Sequence, residues 1–164
     1  AIPASSKVVY GSAMPTNFLR KRPSVQGRVT RPDVPVADRV VWLQVGAAGL
    51  AIKLHATETA DRIWHALPLH SIVETWGESL HFEIPLRIGR DRTARINGRA
   101  GEVYYWIDDE RIVLPWGPTP ISRDHEIRLM RPCNVWGEVI GNARMFEGLV
   151  PGPKCALTRA AKKS

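Results

Sequence analysis

Between Glu78 and Trp136 the chain interleaves flat aromatic surfaces, at Tyr105, Trp106, Trp116 and Trp136, with a few groups able to orient a ligand by hydrogen bonds, at Glu78, Glu102, Thr119 and Asn134. That mixture is the chemistry of a small-molecule pocket, in which apolar walls supply contact and sparse polar groups set orientation. Pro115, Pro118 and Pro120 stiffen the loop carrying Trp116 and Thr119, so both side chains are held in place before anything binds. Trp76, Trp106 and Trp136 are assigned to the core, where a small β-protein needs bulky fillers. Tyr105 and Trp106 are neighbours on one strand and must face opposite sides of it. Tyr105, whose hydroxyl suits a wet rim, is assigned to the pocket and Trp106 to the core. The expected ligand-binding set is therefore Tyr105, Trp116, Thr119, Pro120, Glu78 and Asn134.

Other chemistries find less support. His55, His65, His70, His81 and His125 are dispersed, without the His-x-His or His-Glu-x-x-His spacing that places two imidazoles on one metal, so no metal site and no cofactor are expected. Cys133 lies in a strand-like run beside Val135, the setting of a buried, inert thiol. No serine elbow or phosphate-cradling glycine loop is present, and Gly46-Ala47-Ala48-Gly49 is explained by a hairpin turn. Glu78 and Glu102 have no general-acid partner at defined spacing, so no catalytic residue is assigned.

The formal charge of +7 is a property of the ends. Residues 1–37 carry six Lys/Arg against one acidic residue, residues 149–164 carry four against none, and residues 38–148 carry thirteen against fifteen. A near-neutral body with basic ends reads as solvated termini. The cluster Arg87, Arg90, Arg92, Arg95 and Arg99 suits carboxylate or phosphate, but has no interleaved aromatic for base stacking, and nucleic acid is disfavoured as a partner. The longest apolar run, Val45 to Ile52, is too short to span a bilayer, and no signal peptide is visible. Two cysteines without Cys-x-x-Cys spacing fit a reducing cytoplasm, with a single Cys133–Cys155 bridge as the alternative.

The elements that must position these residues are short. Residues 1–37, rich in proline and basic residues, form an arm. Val40–Val45 and Leu50–Leu54 pair as a hairpin. A helix follows, capped by Thr57 or Thr59, with Ala60, Ile63, Trp64 and Leu67 on one face before Pro68 stops it. Ile72–Glu78 is a short strand. In the next one Leu80, Phe82 and Ile84 point one way and His81 and Glu83 the other. Arg87–Arg99 reads as an exposed loop with Asn97-Gly98 as its turn. Val103–Ile107 and Arg111–Leu114 form a hairpin about Asp108-Asp109-Glu110, and Cys133–Ile140 is a further strand. About seven short strands and one helix argue for a closed or nearly closed β-barrel.

Thr75-Trp76-Gly77-Glu78, Gly101-Glu102-Val103 with Tyr105-Trp106, Gly117-x-Thr119-Pro120, and Asn134-Val135 with Gly137 resemble, in order and spacing, the small prokaryotic cyclophilin-like proteins of unknown function. The likeness runs from Arg39 to Gly141. It implies a mainly β, cyclophilin-like closed β-barrel with one capping helix over residues 38–148, plus an extended N-terminal arm over 1–37 and a basic C-terminal tail over 149–164. The usual helix and final strand are not recognisable after Gly141, so the arm or the tail must supply the closing strand. The Phe-His-Arg and Gly-Phe-Met-x-Gln-Gly-Gly segments of prolyl isomerases are absent, and isomerase activity is the weaker expectation. The expected function is binding of a small organic or peptide ligand in an aromatic cleft by a cytoplasmic protein without a membrane partner. The rival reading is an interaction protein that forms a homo-oligomer through residues 1–37 or binds an acidic partner with its arm and tail.

Overall fold

The computed structural model describes residues 34–160; the arm up to residue 33, and any oligomer built on it, lie outside them. After a 3-10 turn at Val36–Asp38, strands β1 (Val40–Val45) and β2 (Ala48–Leu54) pair antiparallel, from Val40 opposite Lys53 to Val45 opposite Ala48. Only Gly46 and Ala47 remain for the turn, and Gly46 takes a positive φ of 56°, which glycine adopts without steric cost. The helix, α1 (Glu58–Ala66), is capped by Thr57, whose side chain accepts a hydrogen bond from the Ala60 N–H at 3.1 Å. Its inward face carries Ala60, Ile63 and Trp64.

Beyond α1 come β3 (Leu69–Ile72), β4 (Glu74–Thr75), β5 (Ser79–Glu83), β6 (Arg95–Gly98), β7 (Glu102–Trp106), β8 (Arg111–Pro115), β9 (Ile127–Ile140), a 3-10 turn (Ala143–Phe146) and β10 (Lys154–Arg159). They form one sheet in the order β3-β10-β1-β2-β9-β7-β8-β5-β4, with β6 on β9.

The expected mainly β fold with one helix is present, but among the described residues the sheet is not closed by hydrogen bonds: no ladder joins the edge strands β3 and β4. These two edges are nevertheless consecutive in the chain, separated by Val73 alone, so the sheet must curl until its ends meet at one covalent link. Val73 is fully buried, donates to Pro153 O and accepts from the Gly152 N–H, both at 2.9 Å.

The basic tail also needs correction. Residues 154–159 are an internal strand, pairing with β1 on one side and β3 on the other. Lys154 and Arg159 dominate the composition of this stretch, but Cys155 and Leu157 alternate between them and point into the core. The tail therefore supplies the missing strand. Cys155 and Cys133 are both free and buried.

The main core lies between the inner face of the curled sheet and α1, with Leu43, Ile52, Ile63, Phe82, Leu114, Trp136 and Leu157 at its centre. A second, smaller cluster of Tyr104, Val113, Leu129, Cys133 and Val135 occupies the outer face. The long strand β9 makes this possible. Its second half pairs with β2 and β7 and its first half with β6, and the register shifts between Arg128 and Cys133 and again between Val135 and Gly137. Asn97-Gly98 lies in β6, paired with β9, rather than in a turn, and glycine fits there because the Tyr104 hydroxyl rests where a side chain at position 98 would stand. No helix among the described residues is long and apolar enough to cross a membrane.

Candidate functional site

The expected ligand-binding residues are dispersed. Tyr105 is fully buried on the inner face, where its hydroxyl donates to Leu86 O at 2.6 Å and accepts from the Ile88 N–H at 3.1 Å. Asn134 is fully buried as well. Its amide nitrogen donates to Thr59 Oγ1 and to Gly89 O, both at 2.9 Å, and its oxygen accepts from the Asp91 N–H at 3.0 Å, bolting β9 to α1 and the loop before β6. Trp116, Thr119, Pro120 and Glu78 stand together where two loops zip along each other: the Trp116 N–H donates to Glu78 O at 2.8 Å and the Glu78 N–H to Pro118 O at 3.0 Å. There Trp116 is buried, the Thr119 hydroxyl donates to Arg128 O, Pro120 packs against Gly77, and the half-exposed Glu78 carboxylate lies 3.8 Å from Arg144 Nη1.

The concave site is on the opposite, outer face. A cavity of about 200 Å³ opens beside the second hydrophobic cluster, and none of the six expected residues lines it. Trp106, Val113, Leu129, Met130 and Cys133 form its apolar wall, with Trp76 beside them; His81, Arg111, Glu74 and Asp109 supply polarity. Strand register places them. Glu74 lies opposite His81, His81 opposite Val113 and Val113 opposite Tyr104, while Arg111 lies opposite Trp106 and Trp106 opposite Cys133. These two rows run across β4, β5, β8, β7 and β9, and alternation turns all of their side chains to the same side. The expected division between Tyr105 and Trp106 is thus reversed. The two do face opposite sides, but the tyrosine enters the core, where its hydroxyl finds loop backbone, and the indole faces the cavity.

Arg111 is the hub of the polar wall. Its Nε donates to Asp109 Oδ2 at 2.8 Å, and its Nη1 donates to Glu74 Oε2 at 3.4 Å and to His81 Nδ1 at 3.2 Å. A guanidinium only donates, so the Nδ1 of His81 carries the lone pair and its proton resides on Nε2. Burial, and next the Arg111 charge, push the His81 pKa below its ordinary 6.5 against the opposing pull of Glu74 and Asp109, keeping the ring neutral. The ring meets Trp106 edge to face, 6.4 Å between centroids at 77°. Cys133 is no nucleophile. Burial, reinforced by Asp108, pushes its thiol up to about 12, and the thiol donates to Arg131 O at 3.2 Å.

Behind this wall, Glu102 accepts from the Tyr104 hydroxyl at 2.5 Å and from Arg95. Burial raises the Glu102 pKa, but the hydrogen bonds from Tyr104 and Arg95 together outweigh it and hold the carboxyl below the usual range. The Tyr104 hydroxyl also accepts from the Arg99 N–H at 2.7 Å, tying the end of β6 to β7. No group of three or more His, Cys, Asp or Glu among the described residues could hold a metal ion.

The sequence profile of the Cyclophilin-like family matches residues 39–157, most of the chain. The chain belongs to this family. A protein of known structure, the hypothetical protein AF2241 from Archaeoglobus fulgidus, determined in solution, superposes with a TM-score of 0.66 at 27% identity, covering 76% of this chain and 96% of that one. Among curated proteins no sequence matches. The match ends within β10, so the strand recovered from the tail is part of the cyclophilin-like domain. Its polar wall of His81 and Arg111 escaped motif reading because the two are widely separated in sequence and meet through pairing. One signal was available: the alternation that sends Leu80 and Phe82 inward sends His81 outward.

Proposed function

We propose that this cyclophilin-like protein binds a small organic or peptide ligand in the outer-face cleft walled by Trp106, Trp76, His81 and Arg111. The observation that carries the reading is the meeting of an apolar aromatic wall with a charged, partly buried hub in one cavity of about 200 Å³. The Arg111 side chain is 18% exposed, whereas Glu74 and Asp109 are 56% and 53% exposed, so the donor lies deeper than the carboxylates that balance it. A few polar groups at the base of an apolar cleft orient a ligand, and the walls supply contact area. This reading moves the cleft from Trp116, whose ring is buried in the core, and Thr119, whose hydroxyl is taken up by Arg128 O, to the face where a cavity opens.

The test is a fragment and dipeptide screen by two-dimensional NMR, with indole and backbone amides as reporters. Hits are expected to perturb Trp106, Trp76 and the amides flanking His81 and Val113, and Val113→Trp, which fills the cavity, is expected to abolish them. Perturbations confined to Trp116 and Thr119, or persisting in Val113→Trp, would refute the reading.

A further inference from the structure

We infer that the polar end of this cleft accepts an uncharged carbonyl oxygen, so that its ligand is a neutral amide or ketone carried on a flat apolar body. The inference rests on the ligand-binding reading above and goes beyond it by naming the chemical class.

It follows from a count of donors and acceptors. Arg111 spends Nε on Asp109 and Nη1 on Glu74 and His81, and its Nη2 makes no hydrogen bond with the described residues. The Nδ1 of His81 is taken by Arg111, which leaves Nε2–H as a donor, also without an acceptor among the described residues. The indole N–H of Trp106 is buried and has no hydrogen-bond partner among the described residues. Two N–H bonds on Arg111 Nη2, one on His81 Nε2 and one on Trp106 are thus unmatched on cavity-lining residues, whereas each of the two carboxylates already gives one oxygen to Arg111. A site rich in unpaired donors selects a ligand oxygen, because each donor left unmatched behind a bound ligand costs affinity.

Charge then separates a carbonyl from a carboxylate. Arg111 already faces two carboxylates, and His81 is neutral in the tautomer that the Arg111 contact requires. An incoming carboxylate would add a third negative charge beside one positive one. An ammonium group would approach the guanidinium and has no lone pair to offer the unmatched donors. A neutral carbonyl avoids both penalties and uses the donors, while Trp106 and Leu129 cover a flat substituent.

The experiment compares four probes on a phenyl body, benzamide, benzoate, benzylammonium and toluene, titrated into the whole protein and followed by the indole resonances of Trp106 and Trp76. Benzamide is expected to bind about tenfold more tightly than benzoate and benzylammonium, a ratio equivalent to about 1.4 kcal/mol, and to move the His81 Nε2–H resonance downfield. His81→Phe keeps a ring but removes the donor; it is expected to weaken benzamide about fivefold and leave toluene unchanged. Tighter binding of benzoate or benzylammonium, or a benzamide affinity indifferent to His81→Phe, would overturn the inference while leaving the cleft a ligand site. Silence from all four probes, toluene included, would remove the ligand reading and this inference with it.

Discussion

Asn134→Ala separates a binding role from an architectural one. Asn134 is fully buried and makes three hydrogen bonds, donating to Thr59 Oγ1 and Gly89 O and accepting from the Asp91 N–H. Its removal leaves the Gly89 carbonyl and the Asp91 amide without partners. The Thr59 hydroxyl still donates to Asp91 Oδ2 at 2.7 Å, so it is not stranded. At about 1–3 kcal/mol for each buried polar group deprived of its partner, the two stranded groups imply a loss of about 2–6 kcal/mol. That is a large fraction of the roughly 5–15 kcal/mol by which a domain is stable. Urea denaturation followed by tryptophan fluorescence measures it, with hydrogen exchange at the Asp91 amide as a local reporter. Thr59→Val is expected to cost less, about 1.5–3 kcal/mol for the lost bond to the carboxylate, and the double variant to cost less than the sum because both act on one network. A loss below about 1 kcal/mol for Asn134→Ala, or unchanged stability with lost ligand binding, would refute the reasoning.

Three further outcomes are expected. The His81 ring proton, followed by NMR, titrates below 6.5 because burial and then Arg111 disfavour the imidazolium; Arg111→Met is expected to move the midpoint up, and a downward shift would contradict the assigned cause. Since the folded pKa is depressed, the stability tied to His81 is present above pH 6.5 and is lost as pH falls through the folded value, which acid titration of urea midpoints in native protein and His81→Phe would show as a divergence. Gly137→Ala would place its Cβ 2.8 Å from the backbone oxygen of Lys53, which cannot turn aside, so a destabilisation of roughly 1–3 kcal/mol and faster exchange along β2 are expected; neutrality would mean that β2 and β9 separate easily. Truncation after Gly152 removes β10 and exposes the facing edges of β1 and β3, and loss of cooperative thermal unfolding is expected, whereas a dispensable tail would leave the transition intact.

Where a stretch carries its own periodicity, the reading from sequence holds. The first hairpin, the helix, and the inward set of Leu80, Phe82 and Ile84 all follow from local pattern, the structure choosing Thr57 over Thr59 as the cap, and short motifs in fixed order point to the cyclophilin-like family. Charge misleads at β10, where Lys154 and Arg159 bracket an alternating strand whose identity as an internal strand depends on its neighbours. Polarity misleads at Asn134 and Thr119, since a hydrogen-bonding residue in sequence does not reveal whether its partner is a ligand or the protein's own backbone.

By itself the sequence determined the residue types available, the two-residue alternation that separates the faces of each strand, and the helix boundaries, because all of these act over a few neighbouring residues. Tertiary structure alone decided which outward faces were joined. Pairing of β4, β5, β8, β7 and β9 brings Glu74, His81, Arg111, Trp106 and Cys133 into two adjoining rows, and strand register operates between residues that no local pattern relates. It also decided the curl of the sheet, since the strands at its two edges are joined through Val73 and the rest must bend to let them meet.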